Sequence, residues 1–138
     1  MSVECFLDTN VLVYAAAGRG PEEAKRRRAL QLIETTEFAL SAQVLQEFYV
    51  TVVHKAAAPL AAHEALEWIE ALETFPCVVI DGPLVKIAAE ISEHYRISYW
   101  DGAIIAAAEC AGASTLYTED LDHQRYGSVQ VENPFANI

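Results

Sequence analysis

The sequence has few basic residues for its length. Its 138 residues include 9 lysines and arginines against 20 acidic residues, which gives a formal net charge of −11. Such a balance excludes nonspecific binding of nucleic acid over the whole surface, because phosphate groups are bound mainly through lysine and arginine. Five of the nine basic residues nevertheless form one local group: Arg19, Lys25, Arg26, Arg27 and Arg28. A solvated helix surface is the simplest interpretation of that group.

Cysteine pairs and long apolar runs are also missing. Cys5, Cys77 and Cys110 stand in apolar segments without Cys-x-x-Cys spacing, so we expect core residues in a reducing compartment, not a disulfide frame or a zinc site. No apolar run reaches the roughly 18 residues of a membrane span. The first residues lack the basic and apolar regions of a signal peptide. These absences predict a cytoplasmic protein with no membrane partner, and its length predicts a single domain over residues 1–138.

Short apolar runs alternate with helical patterns along the chain. Strands are predicted at 3–7, 38–40, 77–80, 115–117 and 129–131. Helices are predicted at 44–53, 60–72 and 84–95, followed by a nearly all-apolar helix at 99–111 that Gly112 ends. This alternation predicts a parallel sheet covered by helices on both faces. Because such folds bind ligands beyond the carboxyl ends of their strands, polar residues that directly follow strands are the candidates for a functional site.

Three of the five aspartates occupy such positions. Asp8 follows the first strand, Asp120 follows the fourth, and Asp101 opens the apolar helix. Each has a simpler structural interpretation: Asp8 as a helix cap, Asp101 in a capping box with Ser98, and Asp120 or Asp122 as turn formers. In a parallel sheet, however, Asp8 and Asp120 lie at the same edge, and a helix beginning at Ser98 brings Asp101 to it.

Carboxylates gathered in one place repel one another, so such a cluster persists only with a cation or with raised pKa values. Hard oxygen ligands suit Mg²⁺ or Mn²⁺, which also bind the phosphate oxygens of a substrate. The pattern therefore predicts a phosphoryl-transfer site. Glu47 interrupts another apolar helix, but it lies away from the centre of the stripe formed by Val44, Phe48 and Val52, so periodicity does not direct it to the site.

Four short motifs occur in order along the chain: Leu7-Asp8-Thr9-Asn10, Gln46-Glu47-Phe48, Ser98-Tyr99-Trp100-Asp101-Gly102, and Thr118-Glu119-Asp120-Leu121-Asp122. Together they resemble the motifs of the PIN-domain ribonucleases, specifically the VapC-type toxins of toxin-antitoxin pairs, over essentially the whole chain. The resemblance implies that Asp8, Glu47, Asp101 and Asp120 are catalytic metal ligands, supported by Asn10 and Thr118. Asp122 could exchange roles with Asp120. Gly102 departs from the family, which more often has alanine there.

The resemblance also implies a fold and an activity. The fold is a three-layer αβα PIN domain whose central, mainly parallel sheet has about five strands flanked by helices. The activity is Mg²⁺-dependent endonucleolytic hydrolysis of phosphodiester bonds in single-stranded RNA by metal-activated water, with Mn²⁺ as a substitute ion. The implied partners are the RNA substrate, a second copy in a homodimer, and a VapB-type antitoxin whose C-terminal segment enters the acidic cleft.

Three other functions compete with this one. A catalytically silent PIN-like module that binds RNA or an antitoxin is the main alternative. An aspartate-nucleophile phosphatase needs a second acid two residues after the first, where Asn10 stands, and a signalling receiver domain needs an acid pair near the first strand that is absent. Tyr99 and Trp100 could stack on a base, but the apolar neighbours of Trp100 predict a core position.

Overall fold

The computed structural model describes residues 3–138, so Met1 and Ser2 of the predicted domain lie outside the described residues. The strands are β1 (Cys5–Leu7), β2 (Phe38–Ser41), β3 (Cys77–Val78), β4 (Thr115–Tyr117), β5 (Arg125–Tyr126) and β6 (Val129–Glu132). The helices are α1 (Thr9–Ala17), α2 (Glu23–Thr35), α3 (Ala42–Val50), α4 (Ala62–Leu72), α5 (Gly82–Tyr95) and α6 (Tyr99–Cys110). A 3₁₀ turn covers Gly20–Glu22, and a π-helical turn, Thr51–Lys55, continues α3. Within residues 3–138 no helix is long and apolar enough to cross a bilayer.

The predicted parallel sheet is confirmed. Its six strands have the order β3-β2-β1-β4-β6-β5, and every neighbouring pair is parallel except β5 with β6. All five predicted strands are present, although the predicted strand 77–80 is reduced to two residues. The sixth strand, β5, was not predicted, because two residues in a polar segment are too short to show an alternating pattern.

The order of the strands places helices on both faces of the sheet. From β1 the chain moves outward to β2 and β3, and it then returns past β1 to form β4. Because crossovers between parallel strands are right-handed, the reversal of direction puts α1 to α4 on one face and α5 and α6 on the other. The fold is therefore the predicted three-layer αβα arrangement. The direction changes between β1 and β4, which is the place where open sheets of this kind form a ligand-binding crevice.

The nearly all-apolar helix α6 lies between the sheet and α5, and its seven consecutive residues from Gly102 to Ala108 are buried. Gly102 allows a very close approach of the two helices. A Cβ atom added there would lie 2.6 Å from the carbonyl oxygen of Ala88 in α5. The departure of Gly102 from the family motif therefore has a packing reason in this chain.

Two predictions of core positions are wrong. Trp100 is 63% exposed, because it lies in the first turn of α6, beside the edge of the sheet and not over its face. Cys110 ends the same helix and is exposed, Cys77 is half-buried, and only Cys5 is a fully buried core residue. Apolar sequence neighbours do not guarantee burial, because the first and last turns of a helix extend beyond the layer that covers its centre.

Candidate active site

Asp8 is the centre of a polar cluster at the carboxyl edge of β1 and β4. Its side chain caps α1, with Oδ1 accepting a hydrogen bond from the Thr9 N–H at 2.7 Å. Its other oxygen, Oδ2, accepts from the Thr118 hydroxyl at 2.9 Å, across the point where the strand order reverses. The side chain is buried, with 6% of its surface exposed. The same side chain therefore caps α1 and belongs to the polar cluster.

Glu47 joins this cluster from α3. One of its carboxylate oxygens accepts a hydrogen bond from the Thr9 hydroxyl at 2.7 Å. The other accepts from the Gln43 amide at 3.3 Å, and the same amide also donates to the backbone oxygen of Trp100 at 3.3 Å. The half-buried Glu47 is thus oriented toward Asp8 by neighbours from two helices, even though the helical wheel gave no such direction.

Asn10 connects Asp120 to the cluster. Its amide donates to the Thr118 hydroxyl at 3.0 Å and to the Asp120 carboxylate at 2.8 Å. The backbone N–H of Asp120 in turn donates to the Thr118 hydroxyl at 3.1 Å. Asp120 is exposed, so its carboxylate is available to solvent while its backbone and side chain are both held. Asp122 is exposed as well, whereas Asp120 is the acid that the Asn10 amide contacts.

Asp101 approaches the cluster from α6. It lies in the first turn of that helix, where its backbone N–H donates to the hydroxyl of the capping residue Ser98 at 3.0 Å. Partial burial raises the pKa of Asp101, and the negative charges of Asp120 and Glu47 raise it further. The cap predicted from the sequence is therefore present, and the same helix terminus brings Asp101 within the electrostatic influence of the other acids.

The electrostatics of Asp8 are those of a crowded, buried acid. Burial raises its pKa to about 6, and the charges of Asp120 and Glu47 act in the same direction. The hydrogen bonds from Thr9 and Thr118 oppose this rise because they stabilise the ionised form. The site therefore contains more negative charge than its surroundings stabilise.

Two features bear on whether a cation fits this site. In the part of the chain that the structure describes, the Asn10 Oδ1 atom is buried and has no hydrogen-bond partner. Over the same residues, no three Asp, Glu, His or Cys side chains already form a metal-binding group. The unpartnered Asn10 oxygen is a donor of the kind that Mg²⁺ prefers, whereas the acids of the cluster do not form a ready-made set of metal ligands.

A groove of about 910 Å³ opens beside the cluster. Thr9, Asn10, Glu47 and Asp120 lie at the acidic part of its wall. The rest of the wall comes from α1, the 3₁₀ turn, the end of α3 and the π-helical turn, and includes the cations Arg19 and Lys55. The groove therefore offers apolar surface and two positive charges next to the carboxylates.

The sequence missed two residues of this arrangement, Thr9 and Gln43. Gln43 lies one helical turn before Glu47, and residues four apart share a helix face, so the spacing was the signal that could have found it. No local pattern could have identified the contact of Thr9 with Glu47, because it joins residues 38 positions apart in the chain.

The sequence model of the PIN domain matches residues 5–129. The chain belongs to the PIN domain family. The predicted family is thereby confirmed, and it is a family of nucleases. No curated protein matches the sequence significantly.

Solved structures share the PIN fold of this chain. A toxin-antitoxin complex from Klebsiella pneumoniae aligns with a TM-score of 0.71 and 22% identity, over 96% of this chain and 98% of that one. The sarcin-ricin loop cleaving toxin VapC20 of Mycobacterium tuberculosis aligns with a TM-score of 0.66 and 17% identity, over 85% and 90%. VapBC2 from Rickettsia felis, bound to a DNA fragment from its promoter, aligns with a TM-score of 0.64 and 20% identity, over 94% and 97%.

Proposed function

We propose that this PIN domain is a divalent-metal-dependent endoribonuclease, the toxin of a toxin-antitoxin pair, that cleaves single-stranded regions of RNA. One observation supports this most strongly. The carboxylates of Asp8, Glu47 and Asp120 are joined through Thr9, Thr118 and Asn10 at the crevice where the strand order reverses. The toxin-antitoxin proteins that share the fold support the same assignment.

Asp8, Glu47, Asp101 and Asp120 are the proposed metal ligands, bound directly or through water. Their oxygen donors match the preference of Mg²⁺ and Mn²⁺. Burial raises the pKa of Asp8 to about 6, and the neighbouring negative charges, which a cation would offset, act in the same direction. The unpartnered Asn10 Oδ1 adds a neutral oxygen beside them. Asp120 is preferred to Asp122 as the fourth acid because Asn10 holds it.

One or two bound ions would stabilise charge on the scissile phosphate and acidify a water molecule. The chain supplies the proton acceptor, for which Glu47 and Asp120 are the candidates. Thr9 and Gln43 hold the Glu47 carboxylate in a fixed orientation, and Asn10 does the same for Asp120. Attack by water gives products with a 5′-phosphate and a 3′-hydroxyl, and no side chain has to act as a nucleophile.

The groove beside the cluster is the proposed path of the RNA. Arg19 and Lys55 line it and are suited to backbone phosphates. Two of the five residues in the basic group predicted as a solvated face are instead paired within the chain, Lys25 with Glu119 and Arg26 with Glu23. The apolar part of the groove also suits the C-terminal segment of a VapB-type antitoxin. The homodimer stays a prediction from the family resemblance, and the cytoplasmic location stays a prediction from the sequence.

The test is cleavage of a single-stranded RNA by the full chain, purified without its antitoxin. We expect cleavage with Mg²⁺ or Mn²⁺, none with EDTA, and a loss of at least a hundredfold in Asp8→Asn and in Asp101→Asn. Asp122→Asn makes the same charge change on an exposed acid and should keep its activity. Cleavage that survives both substitutions and EDTA would refute the proposal. RNA binding without cleavage under any metal condition would favour the catalytically silent module.

A further inference from the structure

Glu119 lies between two residues of the candidate site, Thr118 and Asp120, and is itself held from the other side. One carboxylate oxygen accepts a hydrogen bond from the Tyr14 hydroxyl of α1. The other forms an ion pair with the Lys25 ammonium of α2 at 2.9 Å. The Lys25 ammonium also donates to the Tyr14 hydroxyl at 3.2 Å. The three polar groups therefore form a closed triangle next to Asp120.

Aromatic rings hold Lys25 in this position. Its ammonium lies 4.8 Å from the centroid of the Tyr14 ring and 5.6 Å from that of Phe135. The two rings contact each other edge to face, with centroids 5.1 Å apart. A cation over aromatic faces is attracted by the ring electrons, so the lysine has a defined place and is not a freely moving surface charge.

The segment that carries Asp120 needs such support. Residues 118–120 follow β4 without belonging to a helix or strand, and Asp120 is exposed. The contacts of Thr118 and Asn10 hold the segment from the side of Asp8. Glu119, which stands between Thr118 and Asp120, holds the segment from the opposite side through its contacts with α1 and α2. Hydrogen-bond partners of a metal ligand, such as Asn10 for Asp120, orient the ligand, and their loss typically weakens metal binding by about 10- to 100-fold. Glu119 acts one residue further along the backbone, so we expect an effect at the lower end of that range.

We propose that Lys25, through Glu119 and with Tyr14, is a positioning residue that keeps the Asp120 carboxylate in place for a divalent ion. The inference rests on the proposed metal-dependent function. Lys25 lies outside the four sequence motifs, so no motif predicts this role. The proposal also assigns a structural role to one residue of the basic group. Phosphate binding, the alternative use of Lys25, would leave metal affinity unaffected.

The direction in which Lys25→Met changes the affinity for a divalent cation distinguishes a positioning role from a purely electrostatic one. Lys25→Met keeps the apolar stem against the rings but removes a positive charge and leaves Glu119 without its cation. Long-range electrostatics alone would then strengthen the binding of a divalent cation. A positioning role predicts weaker binding of the cation, because the segment that carries Asp120 loses its contact with α2.

The experiment is calorimetric titration of the full chain with Mn²⁺ alone, without RNA. We expect Lys25→Met to raise the Mn²⁺ Kd about tenfold, and Lys25→Arg to restore most of the affinity. Lys86→Met removes an exposed lysine of α5 and controls for charge, so its Kd should stay within about twofold of the parent value. In an Asp120→Asn background, Lys25→Met should have no further effect, because the lysine acts through Asp120.

Thermal unfolding with EDTA checks that each variant is folded. If Lys25→Met does not fold, Tyr14→Phe removes one corner of the triangle without any change of charge and should raise the Kd severalfold. Equal or tighter Mn²⁺ binding by Lys25→Met, or unchanged binding by Tyr14→Phe, overturns the positioning role. Absence of Mn²⁺ binding by the parent chain would instead overturn the proposed function, so the two failures are distinguishable.

Discussion

Replacing Asp8 by asparagine should change how the stability of the metal-free protein depends on pH. The pKa of Asp8 lies at about 6 in the folded protein and at an ordinary 3.8 in the unfolded chain. Between these values the folded state binds more protons than the unfolded state, so the free energy of unfolding falls as pH rises from about 4 to about 6. The contribution lost over this interval is at most about 3 kcal/mol, at about 1.4 kcal/mol per pH unit.

Asparagine cannot ionise, so Asp8→Asn removes this part of the pH dependence. It also loses the hydrogen bond from Thr118, which lowers the stability of the variant by a roughly constant amount at every pH. The informative quantity is therefore the difference between the unfolding free energies of variant and parent. From pH 4 to pH 7 we expect this difference to move in favour of the variant by about 2–3 kcal/mol.

The assay is urea unfolding in EDTA at several pH values, followed by circular dichroism. Other titrating groups, including Asp101 with its raised pKa, contribute to both proteins and largely cancel in the comparison. Curves that run parallel from pH 4 to pH 7 would refute the inference that Asp8 is a buried, crowded acid. Repeating the series with Mn²⁺ at about 100 times its Kd should stabilise the parent by about 2.7 kcal/mol and the variant much less.

Four further outcomes are expected. Gly102→Ala should lower the free energy of unfolding by about 1–3 kcal/mol, measured by urea denaturation, because its Cβ would meet the Ala88 carbonyl at 2.6 Å. Arg96→Gly should raise it by about 1 kcal/mol, since Arg96 ends α5 in a left-handed conformation (φ 56°). Trp100→Ala should weaken RNA binding by about 1–3 kcal/mol in fluorescence anisotropy if the exposed ring stacks on a base, and an unchanged affinity would exclude stacking. Glu47→Gln should lower the cleavage rate at least tenfold with the RNA Kd nearly unchanged, measured by single-turnover kinetics, because it removes a proton acceptor.

The edge of the sheet on which the site lies could be predicted from the sequence, because that prediction needs only local patterns. Apolar runs locate the strands, and the acid that follows each strand then lies at the carboxyl edge by geometry. The structure confirms that Asp8 and Asp120 lie at this edge, where both contact Thr118. The capping residue Ser98 likewise marks where α6 begins, which predicts the position of Asp101 in the first turn of that helix.

Glu47 could not be placed in this way, and family resemblance alone indicated it. A helical wheel reports the angle of a residue from the apolar stripe, but it does not report which neighbour packs beside that stripe. In the fold, α1 packs against α3, and Thr9 meets Glu47 at their contact. Glu47 therefore points away from the apolar stripe of α3 because that direction leads to the crevice. Trp100 shows the converse error, since apolar sequence neighbours suggested burial where the helix end is exposed.

Helix capping and acid clustering support each other in this molecule. Asp8 caps α1, and Asp101 lies in the first turn of α6, so two helix N-termini meet at the acidic cluster. Each N-terminus presents free backbone N–H groups and a partial positive charge, which stabilise a nearby carboxylate by about 0.3–1 kcal/mol when it is exposed. That contribution is small beside the burial and like-charge repulsion that raise the pKa of Asp8. The helix ends therefore make the cluster tolerable without neutralising it, and the negative charge that remains is what a divalent ion would bind.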